Sequence, residues 1–295
     1  MKVLVTGRAI PHNPNGSTGE QLAEGFRQAG HECVFYGCYY GYPLNFIGYQ
    51  EVQTQHFDLV IVTEMNDGMP GYEPLFSYHR LRDVPRFYWD FDVSYHPDLS
   101  LKRAKTIPYN GYFVANRYFL GEFEKLGSVL HLPYACSPQI HHRKRNIRKE
   151  HPLGFVGSIT SEREILKNYA YCTEGVYGEA LIDEINKIFV MVHINQQACK
   201  GLVPGRPWET AGCGTCLLMD RVAFDDFKPF IPEQFIGTAV NVFENLDNMD
   251  YYKDKYSKEQ YKDKAVDDGM SLMAYVHRYH SYKQRAEEIL GWIKT

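Results

Sequence analysis

Two stretches of the chain gather residues that could handle a phosphate-bearing ligand. In KGLVPGRPWETAGCGTCLLMD (200–220), Lys200 and Arg206 lie in a Gly/Pro-rich loop ahead of a helical segment that carries Glu209. Cations beside a helix start can neutralise phosphates. A carboxylate in the first helical turn can accept both hydroxyls of a ribose. The same residues also fit a plainer role, in which Glu209 favours its own helix start and Arg206 is solvated. The second stretch, RAIPHNPNGSTG (8–19), places Gly16, Ser17, Thr18 and Gly19 just before another helix, where unpaired backbone N–H groups favour an anion. No GK[ST] follows and the spacing is not G-x-G-x-x-G, which disfavours a Walker loop and a nicotinamide cofactor. A loop with ordinary glycine turns is the competing reading.

Asp90, Asp92 and His96 form a third candidate group. The run DFD (90–92) superficially resembles an Asp-x-Asp metal motif, but it ends a strand in the first half, away from the Glu209 helix. Asp92 or His96 is therefore expected to line an acceptor cleft, where either could act as a catalytic base. Cys213 and Cys216 have redox or zinc spacing but no second Cys/His pair, so packing in a helix-to-strand connection is expected. Seven scattered cysteines argue for a reducing compartment, and the expected location is cytoplasmic. The net charge of −4 does not favour nucleic acid as a partner. Against it stands HHRKRNIRK (141–149), with five Arg/Lys and two His in nine residues, read as a solvated linker or as a patch facing an anionic acceptor.

These residues must be held by α/β elements. KVLVTG, ECVFYG, DLVIVTE, RFYWDFD, GYFVAN and VLHLPYA read as buried strands, with helices over 20–30 and 117–127 between them. A β-α-β unit imposes a right-handed crossover and a parallel sheet, whose ligands gather at the carboxyl ends of its strands. The pattern stops at the basic segment and restarts at LGFVGS. Helices are expected over 162–170, 179–188 and 207–214, and strands over 189–195 and 215–220. A long amphipathic stretch ends the chain. The expected units are 1–145, 152–270 and a closing helix, 271–295. No apolar run approaches the roughly 20 residues that span a bilayer.

The stretch from Asn195 to Asp220, N-x(10)-R-P-W-E-x-x-G-C-G-x-x-L-L-x-D, resembles the donor-binding core of the CgeB-like glycosyltransferases, within the wider GT-B group-1 transferases. FVGSITSERE (155–164) looks like the opening of that family's second domain. Residues 111–141 are similar to its passage out of the first domain, and PNGSTGEQLAEGFRQAGHE to its Gly-rich loop and helix. The resemblance implies a GT-B fold: two Rossmann-like domains, a donor cleft between them, and a C-terminal helix crossing back onto the first. It implies that Glu209 holds the donor ribose and that Arg206 and Lys200 flank the diphosphate. Gly16 and Ser17 would face the same phosphates, and Asn195, ending the strand before the donor loop, would also take part in donor binding. One position departs. Many group-1 transferases carry a second glutamate eight residues earlier, at the transferred sugar, and here that residue is Gly201.

The implied reaction is metal-independent transfer of a sugar from a nucleotide-diphosphate donor to a hydroxyl, with retention. Arg206 would meet the charge of the leaving diphosphate. The nucleotide-sugar is a substrate, and no cofactor is expected. A glycan, protein or small molecule is favoured over DNA as acceptor. Two alternatives stay open: a phage-type DNA-base glycosyltransferase, and a nucleotide-sugar binder without transfer activity, with Gly201 as its trace.

Overall fold

The computed structural model describes residues 1–8, 17–39, 42–43, 52, 54–63, 81, 83–91, 93–161, 163–195 and 199–294. Gly16, Asp92 and the strand-end Glu64 lie outside them. The chain forms two compact units, Met1–Tyr134 with Tyr282–Thr295, and Ala135–Ser281.

Unit 1 is built on the six apolar runs read above, with one short strand, β3, that they did not include: β1 (Lys2–Arg8), β2 (Glu32–Tyr39), β3 (Tyr42–Pro43), β4 (Leu59–Thr63), β5 (Arg86–Asp90), β6 (Gly111–Val114) and β7 (Val129–His131). They form one sheet in the order β3-β2-β1-β4-β5-β6-β7, parallel except at the β2–β3 pair. Every residue of β4 and β5 is buried, as expected for a sheet covered on both faces. Helix α1 (Thr18–Gln28) lies between β1 and β2, and α2 (Pro97–Thr106) and α3 (Leu120–Glu124) follow β5 and β6. The sequence reading had no α2. Its signal was Pro97 at the first helical position, which the otherwise polar segment obscured.

Unit 2 has a five-stranded, all-parallel sheet in the order β12-β11-β10-β8-β9. Its strands are β8 (His151–Val156), β9 (Tyr171–Thr173), β10 (Ile188–His193), β11 (Cys216–Asp220) and β12 (Val240–Phe243). Its helices are α4 (Gly178–Asn186), α5 (Gly205–Gly212), α6 (Arg221–Phe227), α7 (Leu246–Ser257) and α8 (Glu259–Tyr279). The helix expected over 162–170 is only a short 3-10 turn, Glu164–Asn168, and a strand, Tyr171–Thr173, follows it. The last helix, α9 (Tyr282–Ile293), belongs to unit 1. The tail therefore divides between Ser281 and Tyr282: Tyr275 packs on Phe235 in unit 2, while Trp292 packs on Phe87 and Phe113 in unit 1. No helix among the described residues is long and apolar enough to cross a membrane.

The basic segment is not a solvated linker, because much of its charge is spent inside unit 2. Arg143 donates to Asn186 Oδ1 at 2.9 Å and to the Ile147 carbonyl at 2.9 Å. Lys144 pairs with Glu179 and Asp183 of α4. Lys149 is buried, donating to the Ile188 carbonyl at 2.5 Å and to Thr215 Oγ1 at 2.7 Å. Arg145 and Arg148 are exposed.

Burial, with the Arg143 charge adding to it, pushes the Lys149 ammonium down to about 7. In the unfolded chain a lysine titrates near ~10.4. Between those values the unfolded state holds a proton that the folded state lacks, so stability rises with pH across that window. Thermal unfolding of the wild type should therefore gain on Lys149→Met as pH is raised from about 7 toward about 10. Parallel profiles for the two proteins would contradict the assignment.

Candidate functional site

At the unit 1 rim, β1 runs toward α1, and two glycines allow the elements to crowd together. A Cβ at Gly7 or at Gly19 would run into Thr63 Oγ1 at the end of β4. Ser17 caps α1 in a reciprocal box: its hydroxyl accepts from the Glu20 N–H at 3.3 Å, and its own N–H donates to Glu20 Oε2 at 2.5 Å. The Ser17 side chain is thus committed to the helix start. His96 is exposed and precedes α2 without capping it through its side chain. Asp90 faces inward, accepting from Tyr88 Oη at 2.9 Å and from the Val93 N–H at 2.7 Å, so it shapes the turn after β5. Asn116 is fully buried and donates to Ser94 Oγ at 2.6 Å.

Unit 2 brings more of the candidate residues together. Its first strand, β8, lies between β9 and β10, so successive strands are added on one side of β8 and then on the other, and the strand order reverses across the β8–β10 pair. That is where open α/β sheets place their ligands, beyond the carboxyl ends of the strands. Helix α5 starts after β10, and Arg206 and Glu209 in its first turns form an ion pair at 2.7 Å, both about three-quarters buried at 25% and 22% side-chain exposure. Trp208 on the opposite side is fully buried against Phe227 and stacks on His280. Packing of Trp208 fixes the rotation of the helix, and so the direction in which the pair points.

The loop before α5 is organised by side chains that the sequence placed in the ligand site. Asn195 Nδ2 donates to the carbonyls of Cys199 at 3.2 Å and Leu202 at 3.3 Å, and the Asn195 N–H donates to Asp220 at 2.9 Å. Asn195 thus shapes the loop, while Lys200 on it is exposed. Gly201 has a φ of +85°, and its N–H donates to buried Asp226 at 2.8 Å. A glutamate there would have to adopt a left-handed backbone, so the departure at this position is built into the loop.

Residues to which the sequence reading gave no site role hold the two ends of this arrangement. Arg163 Nη2 donates to the Ile194 carbonyl at 2.9 Å and Nη1 to the Ser158 carbonyl at 3.1 Å, while its guanidinium lies over the Phe155 ring. It ties the loop after β8 to the end of β10. His141 packs on the far end of α5, where a Cβ at Gly212 would come within 2.9 Å of its own Cβ. His277 Nε2 bridges the carbonyls of His141 and Gly212, at 2.7 and 2.9 Å. His141 Nδ1 accepts the Ser137 N–H at 2.9 Å, which leaves the ring proton on Nε2. Burial pushes this imidazole down to about 4, against the pull of the Glu209 carboxylate. Cys213 and Cys216 are buried in the helix-to-strand connection, and Cys216 Sγ donates to the Ala265 carbonyl. Burial raises both thiols, Cys216 to about 12, which makes them packing residues.

A family model described as glycosyl transferase-like matches residues 142–291. Among curated proteins none matches the chain by sequence. Several solved structures share the fold. An alpha-glucosyltransferase in complex with UDP and a 13-mer DNA containing an HMU base superposes with a TM-score of 0.75 at 11% identity, over 100% of both chains. The T4 phage beta-glucosyltransferase gives 0.66 at 11% identity, over 98% of each chain. AviGT4, a glycosyltransferase involved in avilamycin A biosynthesis, gives 0.56 at 13% identity, over 99% of this chain and 96% of that one. The fold common to them is GT-B.

Proposed function

Because the chain belongs to the glycosyl transferase-like family, and is a glycosyltransferase, we propose that it takes a sugar from a uridine-diphosphate donor held at the β8–β10 rim of unit 2. The observation that carries this reading is the Arg206–Glu209 pair on the first turns of α5, at the switch point of the sheet. Glu209 accepts the ribose hydroxyls, and Arg206 with Lys200 meets the charge of the diphosphate as it leaves. Each group of the pair already satisfies the other, so the nucleotide competes for both. The choice of uridine is supported by the UDP complexes of the structural neighbours. A leaving diphosphate met by side chains and backbone needs no divalent ion. The acceptor is a hydroxyl of a glycan, a protein or a small molecule.

A second reading, transfer to a DNA base, is favoured by the DNA complexes of neighbours with this fold. Against it, three of the five cations in 141–149 are committed within unit 2, leaving Arg145 and Arg148 exposed. One assay separates the readings. UDP release from UDP-glucose is followed with a chelator present, over glycan, small-molecule and hydroxymethylated-DNA acceptors. Activity should survive the chelator and should not require DNA. A strict need for manganese or magnesium would overturn the metal-free reaction, and turnover on DNA alone would install the second reading. The anomer of the product tests retention.

A further inference from the structure

Unit 2 has a cleft of about 250 Å³ at the amino ends of β8 and β9. Its lining runs from buried Leu153 through half-buried His151 and Tyr171, which begin the two strands, to exposed Lys167, Asn168 and Lys253. Lys167 and Asn168 come from the 3-10 turn before β9, and Lys253 from α7. The donor rim lies beyond the other end of β8, at Val156, about 17 Å along the strand at the usual rise per residue.

The aromatic part of the cleft is held in one geometry. The His151 and Tyr171 rings are parallel, with centroids 3.7 Å apart and 6° between their planes. Tyr171 Oη donates to Glu184 Oε2 at 2.8 Å, and Lys187 holds the same carboxylate at 2.6 Å. A ligand that packs on side chains already fixed in this way loses little in ordering them.

The charged part is unbalanced. The chain has a net charge of −4, yet two lysines from separate elements converge here and no carboxylate lines the cleft. Lys167 has a partner outside the lining, Glu164 at 2.7 Å. Lys253 forms no ion pair among the described residues; its ammonium donates to the Asn168 carbonyl at a long 3.4 Å. Like charges gathered without a carboxylate between them favour an anion.

These two parts define the ligand. An aromatic pair beside an apolar residue takes the face of a ring. Two ammonium groups match a phosphate monoester, which carries about −1.5 to −2 at neutral pH, better than a single carboxylate. Drug-sized ligands fill cavities of roughly 300–1,000 Å³, so this smaller one suits one ring and one phosphate. We propose that the cleft is a second binding site, separate from the donor site, for a small phosphate monoester carried on a flat ring.

The test is a set of calorimetric titrations of the full chain with phenyl phosphate, benzoate, phenol and inorganic phosphate. The wild type should bind phenyl phosphate at one site, about tenfold tighter than any of the other three. Lys253→Met should weaken phenyl phosphate about tenfold, the loss expected of one charge-assisted hydrogen bond. His151→Leu should weaken it about threefold and leave inorganic phosphate unchanged. Lys253 is exposed, so its replacement probes the cleft without disturbing the core. Excess UDP should leave the affinity for phenyl phosphate unchanged, and so should Glu209→Ala. No binding of phenyl phosphate by the wild type, or equal affinity in Lys253→Met, would overturn the proposal. Displacement by UDP that disappears in Glu209→Ala would put the probe in the donor site and overturn it as well.

Discussion

Truncation after Ser281 is expected to abolish the folded state of unit 1 while leaving unit 2 folded. Helix α9 follows the body of unit 1 by more than 140 residues in sequence, yet it supplies part of its core. Tyr282, Ala286, Ile289 and Leu290 are buried, and Trp292 packs edge-on against Phe87 and Phe113. The approach is close. A Cβ at Gly25 of α1 would strike the Tyr282 carbonyl, and one at Gly111 would come within 2.8 Å of the Trp292 ring. Buried Arg285 adds bonds to the carbonyls of Pro133 and Tyr134, at 2.9 and 3.2 Å. Four large apolar side chains at about 1.5–3 kcal/mol each approach the whole stability of an ordinary domain. The truncated protein should lose aromatic near-UV dichroism from unit 1 and bind a hydrophobic dye, and Trp292→Ala should cost about 3–5 kcal/mol. A truncated chain that melts like the full one would show α9 to be an appendage.

The second large effect is on ligand affinity. Glu209→Ala should weaken the nucleotide by about 2–4 kcal/mol, roughly 30- to 1000-fold, because the ribose hydroxyls lose an acceptor within a partly buried site. The effect on folding should be small. The Arg206–Glu209 pair is partly exposed, and pairs of that kind contribute at most about 1 kcal/mol. A variant that melts early but binds the nucleotide normally would make Glu209 a helix residue and move the donor site elsewhere.

Much of this arrangement was legible in the residues. Continuous apolar runs such as LVIVT and FVMVH have the pattern of strands buried on both faces, and their alternation with helices pointed to two largely parallel sheets. The spacing of Arg206 and Glu209, three apart on a helix, is that of a facing pair. Other features were hidden because sequence does not show which charge is buried. Lys149 sits in a run that reads as a solvated stretch, yet its ammonium is held by a carbonyl and a threonine from other elements. Asn195 and Ser17 have residue types suited to a ligand, and the structure gives their side chains to the loop and the helix cap.

The central claim, a nucleotide-sugar transferase with its donor on the α5 side of unit 2, meets its most direct test in thermal unfolding of the wild-type protein with a panel of nucleoside diphosphates. A ligand present at 100 times its dissociation constant adds about 2.7 kcal/mol to the state that binds it. The account predicts that UDP raises the unfolding temperature clearly above the other nucleotides, that a chelator leaves the shift intact, and that Glu209→Ala removes it. No shift with any nucleoside diphosphate, or a shift that survives in Glu209→Ala, would contradict it.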